Sequence, residues 1–264
     1  NTGYSQQGID LGSANFSALE LIKPMILAGP GVSSGEVGEI WHLMDQRLNI
    51  PLSMVETRFF NGMDIHDYNV IIMPSGRYDD IDSNGIEKLK QWLRFGNTLI
   101  AIGSANNWLE KSKLASIKFK KRDEINKDKV TVRRPYGDAS NYSGAQVIGG
   151  SIFSADLDLT HPIGYGFERS DLAVFVSGSS FMELTPNPYN SPLVFKKKAL
   201  LSGFVSKENY KLVDSSAAIT IFGQGRGQII SFAEDPNFRA FWYGTNRLFM
   251  NALVFGQIIY SPSY

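Results

Sequence analysis

The residues of this chain that could do chemistry gather around one break in its apolar pattern. Residues 98–108 read TLIAIGSANNW, and the apolar run 99–103 stops at Ser104 and gives way to helix-compatible sequence. In an α/β domain, a side chain raised at the carboxyl end of a buried strand is placed to act as a nucleophile. A serine there needs a base within hydrogen-bond reach and a third group to orient that base. The chain holds three histidines, His42, His66 and His161. His42 falls in a helical pattern beside Trp41, and His66 in a polar connector. His161, in Thr160-His161-Pro162-Ile163, sits in a loop that could fold back over Ser104. Ser104 and His161 are therefore the candidate hydrolytic pair. The competing reading is that Ser104 caps the helix that follows it, a job serine does well.

Other chemistries find less footing. There is no cysteine, which excludes disulfides, thiolate metal sites and thiol nucleophiles. Three scattered histidines make no zinc spacing, and no metal site is expected. Asp79, Asp80 and Asp82 lack the glycine and distal glutamate of a calcium loop and read as a solvated helix start. Gly29-Pro30-Gly31 with Ser33-Ser34-Gly35 could hold an anion on backbone N–H groups, but it fits neither the dinucleotide nor the Walker pattern. Residues 234–247 (EDPNFRAFWYGTNR) are denser. Either Arg239, Trp242 and Tyr243 form a ligand- or partner-binding rim, or Asp235 caps a helix and the aromatics enter the core.

The elements that must position these residues follow from the apolar periodicity. Short apolar runs at 24–29, 52–57, 70–73 and 98–103 read as buried strands. Ser33 or Ser34 caps a helix whose apolar face is Val37, Ile40, Trp41, Met44 and Leu48, with Glu36 suited to its dipole. Asp82 or Ser83 caps a second helix, with Ile86, Leu89, Trp92 and Leu93 as its stripe and Gly96 as terminator. The first half is thus the pattern of a doubly wound, mostly parallel sheet. Residues 113–129 carry mixed charge and read as an exposed insertion, and 133–150 as loop, so 113–150 is an expected insertion or loop region. Strands are expected at 172–184 and 193–213, a glycine-rich hairpin at 217–222 and 228–233, and a closing helix over 238–259 that includes Phe241.

The 264 residues, 43% hydrophobic, suffice for one large α/β domain. Lys plus Arg and Asp plus Glu both number 26, so no net field draws nucleic acid. No run approaches the roughly 20 apolar residues of a membrane span. Residues 1–22 are polar and read as a linker or extended arm before a domain at 23–264.

Several segments together resemble a known family. They are Ile26 through Val32, the block GEIWHLMDQR at 38–47, Tyr68 through Pro74, Trp92 through Gly103, and the block NFRAFWYGTNRLFMNALVFG at 237–256. They are similar to the class I glutamine amidotransferase-like domain, in the version at the carboxyl end of Bacteroidetes zinc carboxypeptidase-like proteins of the M14 family. The likeness runs over residues 23–257. It implies a flavodoxin-like three-layer α/β/α fold with an added β-rich region in the second half. It also implies an upstream peptidase domain of the same polypeptide as partner, acting on a peptide or protein substrate. Zinc belongs to that peptidase, with no cofactor in this domain, and the setting is secreted, periplasmic or cell-surface. Active amidotransferases carry a Cys, a His and a Glu. Here Ser104 stands at the thiol's place, Ala105 where some relatives have a histidine, and Ile163 replaces the Glu of the His-Pro-Glu motif after His161-Pro162. The resemblance therefore implies a non-catalytic accessory domain. The alternatives are a serine hydrolase using Ser104 and His161, or a sugar- or peptide-binding module.

Overall fold

A computed structural model describes residues 7–10, 12–13, 16–121, 133–178 and 180–260. Its strands are β1 (Pro24–Ala28), β2 (Ser53–Glu56), β3 (Val70–Met73), β4 (Thr98–Ile102), β5 (Ile148–Leu157), β6 (Asp171–Gly178), β7 (Leu193–Gly203), β8 (Ala217–Gln224) and β9 (Gly227–Phe232). The helices are α1 (Ser34–His42), α2 (Ser83–Arg94), α3 (Ala105–Lys111), α4 (Ala139–Gly144), α5 (Lys207–Val213) and α6 (Tyr243–Phe255). All nine strands join one sheet in the order β2-β1-β3-β4-β9-β8-β7-β5-β6.

The sheet has two characters. From β2 to β9 every pairing is parallel. From β9 to β6 every pairing is antiparallel. The expectation of a mostly parallel sheet thus holds for one half only. The reason is in the connections. β8 and β9 are joined by Gly225-Arg226 alone, with Gly225 at φ +65°, and a two-residue loop can only join antiparallel strands.

Alternate residues of each parallel strand face opposite layers. Ile26, Ile72, Ile100 and Ile230 pack with Val37 and Ile40 of α1 and with Leu248, Phe249 and Ala252 of α6. Met25, Leu27, Ile71, Met73, Leu99 and Ala101 pack with Leu89, Trp92 and Leu93 of α2 and Leu109 of α3. Strands covered on both faces read as continuous apolar runs, which is why their sequences show no alternation. The helix starts follow the capping expectations. The Ser33 side chain accepts from the Glu36 N–H and that of Asp82 from the Gly85 N–H. Asp80 accepts from Thr57 Oγ1 at 2.6 Å, which gives the acidic loop a structural role.

Other expectations need correction. Within 113–150, Leu114, Ala115 and Ile117 are buried in the α2/α3 core, and Lys120 N–H donates to the Phe181 carbonyl. That part is no exposed insertion, because its apolar residues alternate with the lysines and turn inward; residues 122–132 lie outside the described ones. Residues 139–144 form α4, and β5, unforeseen, begins at Ile148. The strand expected over 193–213 ends at Gly203. Ser206 then caps α5 by accepting from Asn209 N–H. Trp41 and Phe241 are exposed rather than on apolar faces. No helix among the described residues is long and apolar enough to cross a membrane.

A candidate ligand cleft at the strand carboxyl ends

β1, β3, β4 and β9 end side by side at one edge of the sheet, and β6, which runs in the same sense, ends there too. In doubly wound sheets this edge is where ligands bind. Here it holds a cleft of about 250 Å³ lined by Glu36, Ser75, Gly103, Ser104, Ser177, Gly178, Ser180 and Ala233 to Asp235. Each residue arrives by a short path from a strand end. Glu36 lies in the first turn of α1, just after β1. Ser75 follows β3, Gly103 and Ser104 follow β4, Glu234 and Asp235 follow β9, and Ser177 closes β6.

The carboxyl groups are tethered one oxygen at a time. Glu36 Oε2 accepts from the Ser75 N–H at 2.6 Å, Glu234 Oε2 from the Ser177 N–H at 2.9 Å, and Asp235 Oδ1 from the Asn237 N–H at 2.8 Å. The tethers fix orientation and leave the second oxygen of each group for other partners. Glu39 lies one helical turn after Glu36, on the same face of α1, and faces Asp235. Among the described residues none of these four carboxyls has a Lys, Arg or His ion pair.

Burial without a counter-ion favours the protonated form. Burial raises the Glu36 carboxyl above its usual range, with the Glu39 charge adding to it. Burial and then the Glu36 charge push Glu234 up to about 8, against the Ser177 N–H that favours the anion. Asp235 is pushed up to about 9, by burial first and then by its contact with Glu39. At neutral pH the cleft therefore presents the Glu234 carboxylic O–H beside serine hydroxyls, while the Asp235 proton faces Glu39. Groups perturbed in this way and lining a cleft are marks of a functional site.

The elbow itself is relaxed at Ser104. Its φ of −71° and ψ of −12° are helical, and the left-handed residue is Gly103 at φ +53°. A Cβ on Gly103 would stand 2.2 Å from Ser75 Oγ, so the turn requires glycine there. Ser104 is exposed, and its hydroxyl makes no capping bond to α3, so the capping role is not realised either.

Ser104 and His161 are not brought together. β5 runs antiparallel to β7, β7 to β8 and β8 to β9, while β9 is parallel to β4. The carboxyl end of β5, from which His161 follows, therefore lies at the edge opposite Ser104. His161 instead accepts from the Ile163 N–H and lines a different cavity, about 690 Å³, with Asp158, Tyr165, Tyr189 and Tyr260. Burial lowers its pKa, against the pull of Asp158. His66 precedes β3 at that same far edge, and His42 ends α1. No histidine of the chain reaches the cleft, so His161 cannot serve Ser104 as a base.

Of the rim candidates, Tyr243 is exposed and carries the Arg47 guanidinium 4.4 Å from its ring centroid. Trp242 is half-buried, its ring 6.1 Å from that of Phe175, and Arg239 is exposed with its guanidinium over Phe238. None of the three lines the cleft, though all lie on the segment that continues from Asp235. Asp235 caps a tight turn at Asn237 rather than a helix. Among the described residues no group of three or more His, Cys, Asp or Glu could hold a metal ion. Glu36, Glu39, Ser75, Ser177 and Glu234 carry no motif. Only the dense 234–247 segment and the i, i+3 spacing of Glu36 and Glu39 could have pointed to them.

Solved structures with this arrangement include a ThuA-like protein from Parabacteroides merdae, matched at a TM-score of 0.60 and 11% identity over 93% of each chain. A ThuA-like protein from Bacteroides uniformis is matched at 0.53 and 13% identity, over 91% of this chain and 92% of that one. At such identities the likeness is one of fold, a class I glutamine amidotransferase-like fold. No protein-family model and no curated protein matches the chain.

Proposed function

We propose that this chain is a non-hydrolytic binding domain whose cleft takes a small, multiply hydrogen-bonding ligand of the sugar or short-peptide kind. The observation that carries the reading is the composition of the cleft. Carboxyl groups tethered through one oxygen stand among serines, with no thiol and no histidine in reach. Such a wall offers donors and acceptors to hydroxyl or amide groups. Its volume of about 250 Å³ suits one sugar ring or one or two peptide units.

In the setting implied by the sequence resemblance, such a domain holds substrate for a zinc carboxypeptidase on the same polypeptide. The parallel half, with strand order β2-β1-β3-β4, is read here as flavodoxin-like. The test is calorimetric titration with a panel of monosaccharides, disaccharides and dipeptides at pH 6.5, on the wild type and on Glu234→Ala. Binding by one class, weakened at least tenfold in the variant, supports the reading. No binding by either class at millimolar ligand overturns it. Hydrolysis of glutamine or ester substrates, abolished by Ser104→Ala, would overturn its non-hydrolytic part. A full-length gene without an upstream peptidase would remove the accessory role.

A further inference from the structure

The segment after Asp235 is held closed in a costly conformation. Arg239 and Ala240, neither of them glycine, stand consecutively in the left-handed region at φ +51° and +55°. Asn237 Nδ2 and Trp242 Nε1 are buried without an acceptor. Both costs vanish if the segment swings into water. What opposes them is specific. Phe238 stacks on Phe175 of β6, with ring centroids 3.9 Å apart. Arg239 N–H donates to Glu39 Oε1 at 2.8 Å, across 200 residues of sequence. Glu39 Oε2, also buried, has no donor in reach except a proton on the facing Asp235 carboxyl. Farther along, Arg47 sits on the Tyr243 ring, and the Asn246 amide, turned over to satisfy its neighbours, places its oxygen 2.8 Å from the same guanidinium. The blocks at 38–47 and 237–256 thus meet face to face.

We propose that Glu39 is a proton-dependent clasp: its carboxyl group joins the Arg239 backbone N–H to the Asp235 side chain, and loss of the shared proton releases the 235–242 segment from α1. Asp235 belongs both to this segment and to the cleft wall, so release also reshapes the cleft. The charged groups facing the clasp are Glu36 on the same helix, Glu234 beside Asp235, Arg239 on the segment itself and Arg47 beyond it. Burial, then Glu39 and last Glu36, holds the proton on Asp235, while the exposed Arg239 guanidinium lies over Phe238. Asp235 keeps its proton up to about pH 9, so the clasp is shut at neutral pH and opens as pH rises through that value.

The experiment is amide hydrogen exchange of the whole chain, resolved at Arg239, in a Tyr243→Phe background that removes the hydroxyl from the ring under Arg47. Rates are corrected for the intrinsic effect of pH. Glu39→Ala should raise exchange at Arg239 at least tenfold at pH 7 while β9 amides stay protected. Glu39→Gln should match the parent at pH 7, because its carbonyl accepts from Arg239 and its amide donates to Asp235. Between pH 7 and pH 10 the parent should lose protection at Arg239 at least tenfold and Glu39→Gln should not. Unchanged exchange in Glu39→Ala overturns the clasp. A parent flat to pH 10, or a Gln variant that opens with it, overturns its dependence on the proton. If β9 exchange rises as well in Glu39→Ala, the Gln variant alone decides between these outcomes.

Discussion

Replacing Glu234 by Gln should change how stability depends on pH. In the unfolded chain this carboxyl titrates at its ordinary value of 4.5, and in the folded chain at about 8. The folded state therefore holds the proton more tightly. The stability this contributes is fully present below about pH 4.5 and is lost as pH rises toward 8. A separation of that size, at about 1.4 kcal/mol per pH unit, would be worth about 5 kcal/mol over the whole range. The window from pH 5 to pH 8 captures about 3 kcal/mol of it, a large share of the 5–15 kcal/mol typical of a domain. Gln keeps the acceptor for the Ser177 N–H and carries no titrating proton. Urea unfolding followed by circular dichroism at pH 5, 6.5 and 8 measures both proteins. The wild type should lose about 3 kcal/mol more than Glu234→Gln between pH 5 and pH 8. Parallel loss in the two, within about 0.5 kcal/mol, would refute the reasoning, because Glu234 would then be ionised in the folded cleft.

Three further substitutions test the frame around the cleft. Gly103→Ala places a Cβ in a left-handed residue against Ser75 and should cost about 1–3 kcal/mol in chemical unfolding. Ser104→Ala should leave stability within about 0.5 kcal/mol in the same assay, because the exposed hydroxyl caps nothing. Asp82→Ala should cost about 1 kcal/mol by freeing the Gly85 N–H, read as a lowered urea midpoint at unchanged slope.

The parallel half of the fold was legible because strands buried on both faces and capped amphipathic helices write themselves as apolar runs and Ser or Asp punctuation. Gly96 at φ +108° and the Gly225 hairpin show the same correspondence. The antiparallel half was harder. β5, with the sequence IGGSIFSADL, is weakened by two glycines and three small polar or charged residues, and its pairing partners lie on both sides of it in space but only after it in sequence. α5 was hidden because KENYKLV is too short to show a helical stripe.

The cleft was half visible. Ser104 marked the right edge of the sheet, since the end of an apolar strand is a local signal. His161 misled because a loop after a strand says nothing about which edge it occupies; that is set by how many antiparallel turns intervene. Glu36 reads as an ordinary first-turn acid favouring the helix dipole, and only the fold brings it beside Glu234, nearly 200 positions away.

Backbone amide chemical shifts during ligand titration test the central claim most directly, because the two cavities lie at opposite edges of the sheet. With the sugar or dipeptide that binds in calorimetry, the largest shifts should fall at Ser75, Ser104, Ser177 and Glu234, and they should vanish in Glu234→Ala. Shifts centred instead on Asp158, Thr160 and His161, or none at all with any member of the panel, would contradict the assignment of the cleft as the binding site.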